Sequence, residues 1–118
     1  MGLTSKLAQD LYKIEQTEHD VEQLHTLMID FFAAAYAGYR QNRAFNKAVE
    51  AVVFPQSGAE ESHVLFQERK YPAHLAAFMN SVYGHGAELD DGNKKAAGHA
   101  GVHLIPAVVA LADKSEEQ

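Results

Sequence analysis

Hydrophobic residues recur three or four positions apart along most of the chain, which is the spacing of one face of an α-helix. The repeated spacing predicts about five helices with short connections, and therefore an all-α bundle. The first helix is short and amphipathic, and we expect its apolar face to pack on neighbouring helices. Thr4 or Ser5 can cap it. Its apolar residues are Leu3, Leu7, Leu11 and Ile14.

The second and third helices are predicted from about Glu18 to Tyr39 and from Asn42 to Phe54. Acidic residues begin the second helix, where the positive end of the helix dipole favours them, and Gly38 can end it. Pro55 stops the third helix because proline has no N–H to donate. We expect the inward faces to consist of Val21, Leu24, Leu27, Met28, Phe31, Phe32 and Ala35 in the second helix and of Phe45, Ala48, Val49 and Val52 in the third.

A polar connection from Gln56 to Arg69 follows, and its run from His63 to Phe66 is the only place where a short extended piece is predicted. A fourth helix is predicted from Pro72 to about Asp91, with Gly92 as its stop. A glycine-bearing loop from Gly92 to Ala100 leads to a fifth helix with Pro106 in its early turns, and the tail from Asp113 to Gln118 is expected to be solvated. Its apolar residues are Val102, Ile105, Val108, Val109 and Leu111. No repeat or linker divides the chain, so residues 1–118 are expected to form a single helical domain.

The composition excludes several classes of protein. Sixteen acidic against ten basic residues give a formal charge of −6, and no cluster of basic residues offers a nucleic-acid surface. The absence of cysteine excludes disulfides, thiolate zinc sites and cysteine nucleophiles. The N-terminus has no signal-peptide pattern, and the most apolar stretch, Phe31 to Tyr39, is too short to cross a membrane. We therefore expect a soluble cytoplasmic protein.

Three acidic residues, Glu88, Asp90 and Asp91, crowd the predicted C-terminal turn of the fourth helix. The helix dipole makes acids costly there, by a few tenths to about 1 kcal/mol each. Such costs are tolerated at functional sites, so the cluster indicates one. On a helical wheel Asn80 and Gly84 share a face with Glu88 and Asp91, whereas Asp90 points elsewhere.

His99 follows the loop at the start of the fifth helix, where backbone N–H groups can hold an anion such as a substrate carboxylate. A carboxylate, an imidazole and amide donors suit removal or return of a proton beside a carboxylate group. Two other interpretations stay open. The acids and His99 can be ordinary surface side chains, or His99 and His103 can hold a metal ion with Asp90 or Asp91. The other histidines are interpreted as exposed or satisfied side chains, namely His19, His25, His63, His74 and His85.

The acid–loop–histidine segment resembles the signature of the MmgE/PrpD family. The matching runs are ELDDG (88–92), GHAG (98–101) and IPAVVALAD (105–113). In the family, an alanine-rich helix with an Asn–small pair leads into a double aspartate, then His-Pro-Gly, then a helix. Here Ala76 to Ser81 matches the first part, Asp90 and Asp91 the double aspartate, and His99 the histidine. Leu24 to Gly38 resembles the first long helix of the family.

The family includes 2-methylcitrate dehydratase, cis-aconitate decarboxylase and iminodisuccinate epimerase. These enzymes make or break a bond beside a carboxylate by acid–base steps, without a metal or an organic cofactor. The resemblance therefore implies a pocket for a small di- or tricarboxylate, with His99, Asp91 and Glu88 as the catalytic residues. It implies that Asn80 and Asp90 line the pocket and bind the substrate.

Two departures from the family pattern bear on the reaction. His99 is followed by Ala100 where the family has proline, so the loop lacks a rigid residue. Gly92 stands where some decarboxylating members have threonine, which argues against assuming decarboxylation.

Family enzymes are several times longer than this chain. We therefore expect it to belong to a larger helical domain and to form one wall of an active site, which a missing C-terminal part or subunit completes. Self-association is also expected, because uncovered apolar faces tend to pair. The alternative is a non-catalytic helical module that dimerises or binds a partner. Exposed apolar surface favours the first hypothesis, and a self-contained polar surface favours the second.

Overall fold

The computed structural model describes residues 2–56, 58–95 and 97–115. These residues form five helices and one short hairpin: α1 (Leu3–Tyr12), α2 (Glu18–Gln41), α3 (Arg43–Val53), β1 (Ser62–His63), β2 (Lys70–Tyr71), α4 (Ala73–His85) and α5 (Ala100–Ser115). The predicted mostly helical fold of about five helices is confirmed. Of the extended piece expected between His63 and Phe66, only His63 is in a strand, as the second residue of β1. The antiparallel partner β2 lies outside that run, so the expectation of a strand only there was wrong. No described helix is long and apolar enough to cross a membrane.

The hydrophobic core lies where α4 packs against α2 on one side and α5 on the other. Met79 and Tyr83 of α4 are fully buried, in the same core cluster as Phe31 of α2 and Val102 of α5. Gly38 does not end α2, which continues to Gln41. Gly38 instead lets α2 approach the end of α4 closely, because a Cβ there would overlap the carbonyl oxygen of Tyr83. The predicted helix stop at Gly38 was therefore wrong.

The buried phenol of Tyr83 connects α4 to α3. Its hydroxyl donates a hydrogen bond of 2.7 Å to Oε1 of Glu50. Burial, and then this contact with Glu50, raise the pKa of Tyr83 well above its usual range. The neutral phenol is therefore the form that the fold stabilises.

The inward face of α3 differs from the prediction. Val49 is half-buried as expected, but Phe45 and Val52 are exposed, and so is Ala48. Asn46 is fully buried instead, and its Nδ2 donates to the carbonyl oxygens of residues 38 and 39 at the end of α2. These hydrogen bonds fix a different face of α3 against α2, so the apolar side chains point outward.

The helix α1 does not pack on its neighbours as predicted. It has no buried residue and makes no contact with another described helix or strand. Gly2 is its N-cap, and Thr4 and Ser5 lie inside the helix rather than at its cap. Within the described residues nothing lies opposite the apolar face of α1, so that face stays exposed. A helix this short is marginal without tertiary contacts.

The hairpin holds the C-terminal part of α5. The hydroxyl of Ser62 donates to the Ala110 carbonyl oxygen at 2.6 Å, and Asp113 accepts from the backbone N–H of His63 at 2.6 Å and from Lys70 at 3.3 Å. Burial raises the pKa of Asp113, but hydrogen bonds from His63 and Lys70 outweigh it, so the pKa lies below its ordinary 3.8. The predicted solvated tail from Asp113 was therefore wrong as far as Ser115, where α5 ends; residues 116–118 lie outside the described residues.

Candidate functional site

The fourth helix is shorter than the sequence predicts, and this changes the geometry of the acidic cluster. It ends at His85 rather than near Asp91. Gly86 lies against Gly38 of α2, and the chain then turns through Glu88, whose φ of 50° is in the left-handed region. The acids therefore lie in a loop. The predicted helical face shared by Asn80, Glu88 and Asp91 does not form, because a helical wheel holds only while the helix continues.

Within this loop the chain buries the carboxylate of Asp90, which has only 1 % of its side chain exposed. Nδ1 of His85 lies 3.1 Å from each of its two oxygens. Nδ1 of His99 lies 3.2 Å from Oδ2 of the same carboxylate. The two imidazole rings are edge to face, with centroids 5.4 Å apart. His85, at the end of α4, and His99, just before α5, thus share one buried carboxylate.

The hydrogen bonds determine which ring nitrogen of each histidine carries a proton. Nδ1 of His99 lies 2.7 Å from the carbonyl oxygen of Asp91, which can only accept a hydrogen bond. Nδ1 of His85 faces only the carboxylate oxygens of Asp90, which as a carboxylate also only accepts. Both rings therefore hold a proton on Nδ1. In the neutral form each ring keeps its lone pair on Nε2, where it can accept another proton.

The side chain of Asp91 has a different role from that of Asp90. Its Oδ1 accepts a hydrogen bond of 2.8 Å from the backbone N–H of Gly101, in the first turn of α5. A Cβ at residue 101 would overlap this oxygen, so a larger residue there would displace the Asp91 side chain. A backbone N–H expected to be available for a substrate carboxylate is thus already used by Asp91. The backbone bond from Asn93 N–H to the Gly98 carbonyl, at 2.8 Å, closes the loop and brings Asp91 beside His99.

The two remaining predicted site residues lie apart from this cluster. Asn80 is buried, where its Oδ1 accepts from the N–H of Leu65 at 2.8 Å and its Nδ2 donates to the His63 carbonyl at 3.2 Å. These bonds connect α4 to the chain around the hairpin. Glu88 is exposed on the loop. The structure therefore brings His99, Asp90 and Asp91 together, and does not bring Asn80 to them.

An open cleft of about 360 Å³ between α4 and α5 exposes both imidazoles. It is lined by Phe78, Ser81, Val82, His85, Gly98, His99, Val102 and His103. A larger recess, of about 450 Å³, lies beside the hairpin, but its charged residues Glu61 and Lys114 form an ion pair of 2.9 Å with each other. The histidine cleft is therefore the better candidate for proton chemistry.

His85 is the member of this cluster that the sequence reasoning did not single out. Its partner Asp90 is five residues away, a spacing that does not share a face of a helix. The pairing of His85 with Asp90 depends on where α4 ends and on the left-handed turn at Glu88. Hydrophobic periodicity predicts neither of these two features. The only available signal was a histidine shortly before a run of acids.

The metal-binding alternative gains no support from the geometry. In residues 2–56, 58–95 and 97–115, no three histidine, aspartate or glutamate side chains are placed to hold a metal ion. His99 and His103 both line the cleft, but Nδ1 of His99 already donates to the loop.

Comparisons with known proteins address the family. The comparison with curated proteins gave no match, and the comparison with solved structures gave none. The family model described as the MmgE/PrpD N-terminal domain matches residues 6–118, which include every residue of the cleft. The chain therefore belongs to the MmgE/PrpD family.

Proposed function

We propose that this domain forms one wall of the active site of a cofactor-free lyase or isomerase, which acts by acid–base chemistry on small di- or tricarboxylates. The observation that carries the proposal is the pairing of two imidazoles with one buried carboxylate at an open cleft. Membership of the MmgE/PrpD family supports it. An imidazole oriented by a carboxylate is a recurring arrangement for proton transfer near neutral pH.

His99 is the proposed proton-transfer residue. Its Nε2 accepts a proton from the carbon beside a substrate carboxylate while its Nδ1–H stays hydrogen-bonded to the Asp91 carbonyl. Asp90 stabilises the imidazolium that forms, since its Oδ2 lies 3.2 Å from the ring. Positioned general base catalysis of this kind contributes roughly 10² to 10⁴ in rate.

The roles of the other predicted residues follow from their positions. Asp91 acts through His99 and through the start of α5, so we propose it as a positioning residue. Asn80 stabilises the junction of α4 with the hairpin segment. Glu88 is an exposed carboxylate on the loop that carries Asp90 and Asp91, and it is proposed as a proton-transfer group at the edge of the completed site.

Exposed apolar side chains support the idea that further structure covers this wall. Phe78 lines the cleft and is half exposed, and Leu104 and Val108 of α5 are more exposed still. Apolar patches of this kind usually mark surfaces that another part or partner buries. A second part of the enzyme, or a second copy, is the proposed cover.

The test uses the protein as its source cell makes it. Turnover of 2-methylcitrate, cis-aconitate and iminodisuccinate is followed by proton NMR in D₂O, after treatment with a chelator. We expect turnover of at least one substrate, and we expect His99→Ala to lower it by about 100-fold or more while the melting temperature changes little. His74→Ala is the control, because His74 is an exposed histidine of α4 outside the cleft. Turnover close to wild type in His99→Ala contradicts the assignment.

The second candidate is a non-catalytic module that dimerises or binds a partner, and it would use the same exposed apolar faces as its interface. The same experiment separates the two. Absence of turnover and of proton exchange on all three substrates, together with self-association in analytical ultracentrifugation, favours the binding module.

A further inference from the structure

We propose that His85 is a second catalytic residue, which works with His99 as an acid–base pair, and that Asp90 is the positioning residue that aligns both rings. This inference rests on the proposed function and assigns the parts of that site. The sequence signature identifies only His99, and the role of His85 comes from the geometry of the loop.

The geometry of His85 matches that of His99 in three respects. Each ring directs Nδ1 at the buried Asp90, at 3.1 Å and 3.2 Å. Each side chain is about half exposed, and both line the same cleft. The ring centroids are 5.4 Å apart, so one small substrate can contact both rings.

Asp90 itself is poorly suited to bind the substrate directly. Its side chain is only 1 % exposed, and both of its oxygens are used by the imidazoles. A substrate carboxylate brought against it would add a like charge in a partly desolvated site. Its effect on the reaction therefore passes through His85 and His99.

The pair can complete a loss of water from a β-hydroxy acid. Nε2 of His99 takes the proton from the carbon beside the carboxylate, and the electron pair of that C–H bond becomes the new C=C bond. The C–O bond to the β-hydroxyl group breaks, and the departing oxygen takes a proton from protonated His85 and leaves as water. His99 ends protonated and His85 neutral, and proton exchange with solvent restores both.

The assignment of the two roles follows from the surroundings of each ring. His85 is the last residue of α4, where the negative end of the helix dipole stabilises a cation and suits a proton donor. His99 lies just before α5, at the opposite end of a helix dipole, which suits a neutral base.

The experiment measures two rates on 2-methylcitrate in D₂O with the natural full-length protein: exchange of the carbon-bound proton, and loss of water. We expect His99→Gln to lower both rates by about 100-fold. We expect His85→Gln to lower water loss by a similar factor while exchange continues, so the ratio of exchange to water loss rises. We expect Asp90→Asn to lower both rates. His74→Gln, an exposed histidine of the same helix, is the matched control and leaves both rates unchanged.

A second variant separates chemistry from folding. In His85→Gly, added imidazole is expected to restore water loss, because the small base can occupy the vacated space beside Asp90. Unchanged rates in His85→Gln, or absence of rescue in a folded His85→Gly protein, overturn the role of His85 and leave the proposed function intact. A wild-type protein that neither exchanges the proton nor loses water, on any of the three substrates, overturns the proposed function and this inference with it.

Discussion

The two halves of α2 have the same kind of amphipathic pattern, but only one of them is buried. In the C-terminal half, Phe31 is 4 % exposed, and Ala34 and Ala35 are buried against α4. In the N-terminal half, Leu24 and Leu27 are exposed by 49 % and 42 %. The difference is that α4 packs against one half, whereas in the other half Leu24 only borders an open apolar groove beside Leu104 and Val108 of α5. Periodicity thus shows which face of a helix is apolar, and the surrounding fold decides whether that face is buried.

The candidate site lies on the covered side of this division. Gly84 of α4 leaves space that Phe31 and Val102 fill, so α2, α4 and α5 are packed together just behind His85. The N-terminal end of α2 is held locally instead. Thr17 and Asp20 cap it with reciprocal hydrogen bonds of 3.2 Å and 2.8 Å. A local cap can start a helix without any tertiary partner.

The largest effect on stability is expected at Phe31, which is buried, in contrast to the adjacent and more exposed Phe32. Phe31→Ala should lower the free energy of unfolding by about 3–5 kcal/mol, because it leaves a cavity between α2 and α4. Phe32, at 37 % exposure, is the matched control, and Phe32→Ala should cost about 1 kcal/mol or less. Urea unfolding measures both values. Equal losses for the two variants would break the distinction between a covered and an uncovered face.

A smaller loss of stability is expected from a substitution where α2 crosses the end of α4. A Cβ at Gly38 would overlap the Tyr83 carbonyl, so Gly38→Ala should force the helices apart and cost about 1–3 kcal/mol. Gly92→Ala is the control, since nothing lies within 4 Å of a Cβ at that position. Thermal unfolding of the two variants tests this. A melting temperature of Gly38→Ala at or above that of Gly92→Ala contradicts the close crossing.

The contact between the hairpin and α5 predicts a dependence on pH. Because the pKa of Asp113 is lower in the folded state than its ordinary 3.8, its stabilisation is complete above that value. It is lost as the pH falls through the folded pKa. Asp113→Asn should therefore be less stable than wild type near neutral pH, and the difference should shrink in acid. Unfolding curves measured from pH 6 to about pH 2 test this, and a constant difference across that range would contradict it.

The smallest effect is expected in α1. Leu7 is exposed and touches no other element, so Leu7→Ala should change the stability of this chain by no more than about 0.5 kcal/mol. If the proposed cover buries α1, the same substitution should weaken assembly in the natural protein. Urea unfolding and sedimentation measure the two effects. A loss in the chain alone comparable to that of Phe31→Ala would show that α1 has a partner within it.

The sequence predicted the parts of the fold that depend on local periodicity and on the family signature. The helices from Glu18, near residue 42, near Pro72 and near residue 100 are all present, and His99 lies just before α5, where the pattern predicted it. Helix starts have local causes, such as the cap at Thr17 or the fixed φ of Pro72, so they can be predicted from a single sequence.

The errors occurred where tertiary contacts override local pattern. The face of α3 is set by hydrogen bonds from Asn46 to carbonyl groups of α2, and these outweigh the apolar stripe that contains Phe45 and Val52. The end of α4 at His85 is set where Gly86 meets Gly38 across the helix pair. Shortening α4 moved the acids into a loop and paired Asp90 with His85. None of these contacts can be predicted from the spacing of residues along the sequence.

The hydrogen bond between Tyr83 and Glu50 makes the intrinsic tyrosine fluorescence of the protein a measure of its folding. The chain has five tyrosines and no tryptophan, so its ultraviolet emission comes from phenol groups. An excited phenol readily transfers its proton to a carboxylate 2.7 Å away. This transfer quenches the fluorescence of Tyr83 while the core is folded. Unfolding separates Tyr83 from Glu50 and should raise the fluorescence intensity. Fluorescence at a single wavelength can therefore follow the core beside the histidine cleft, with no label attached.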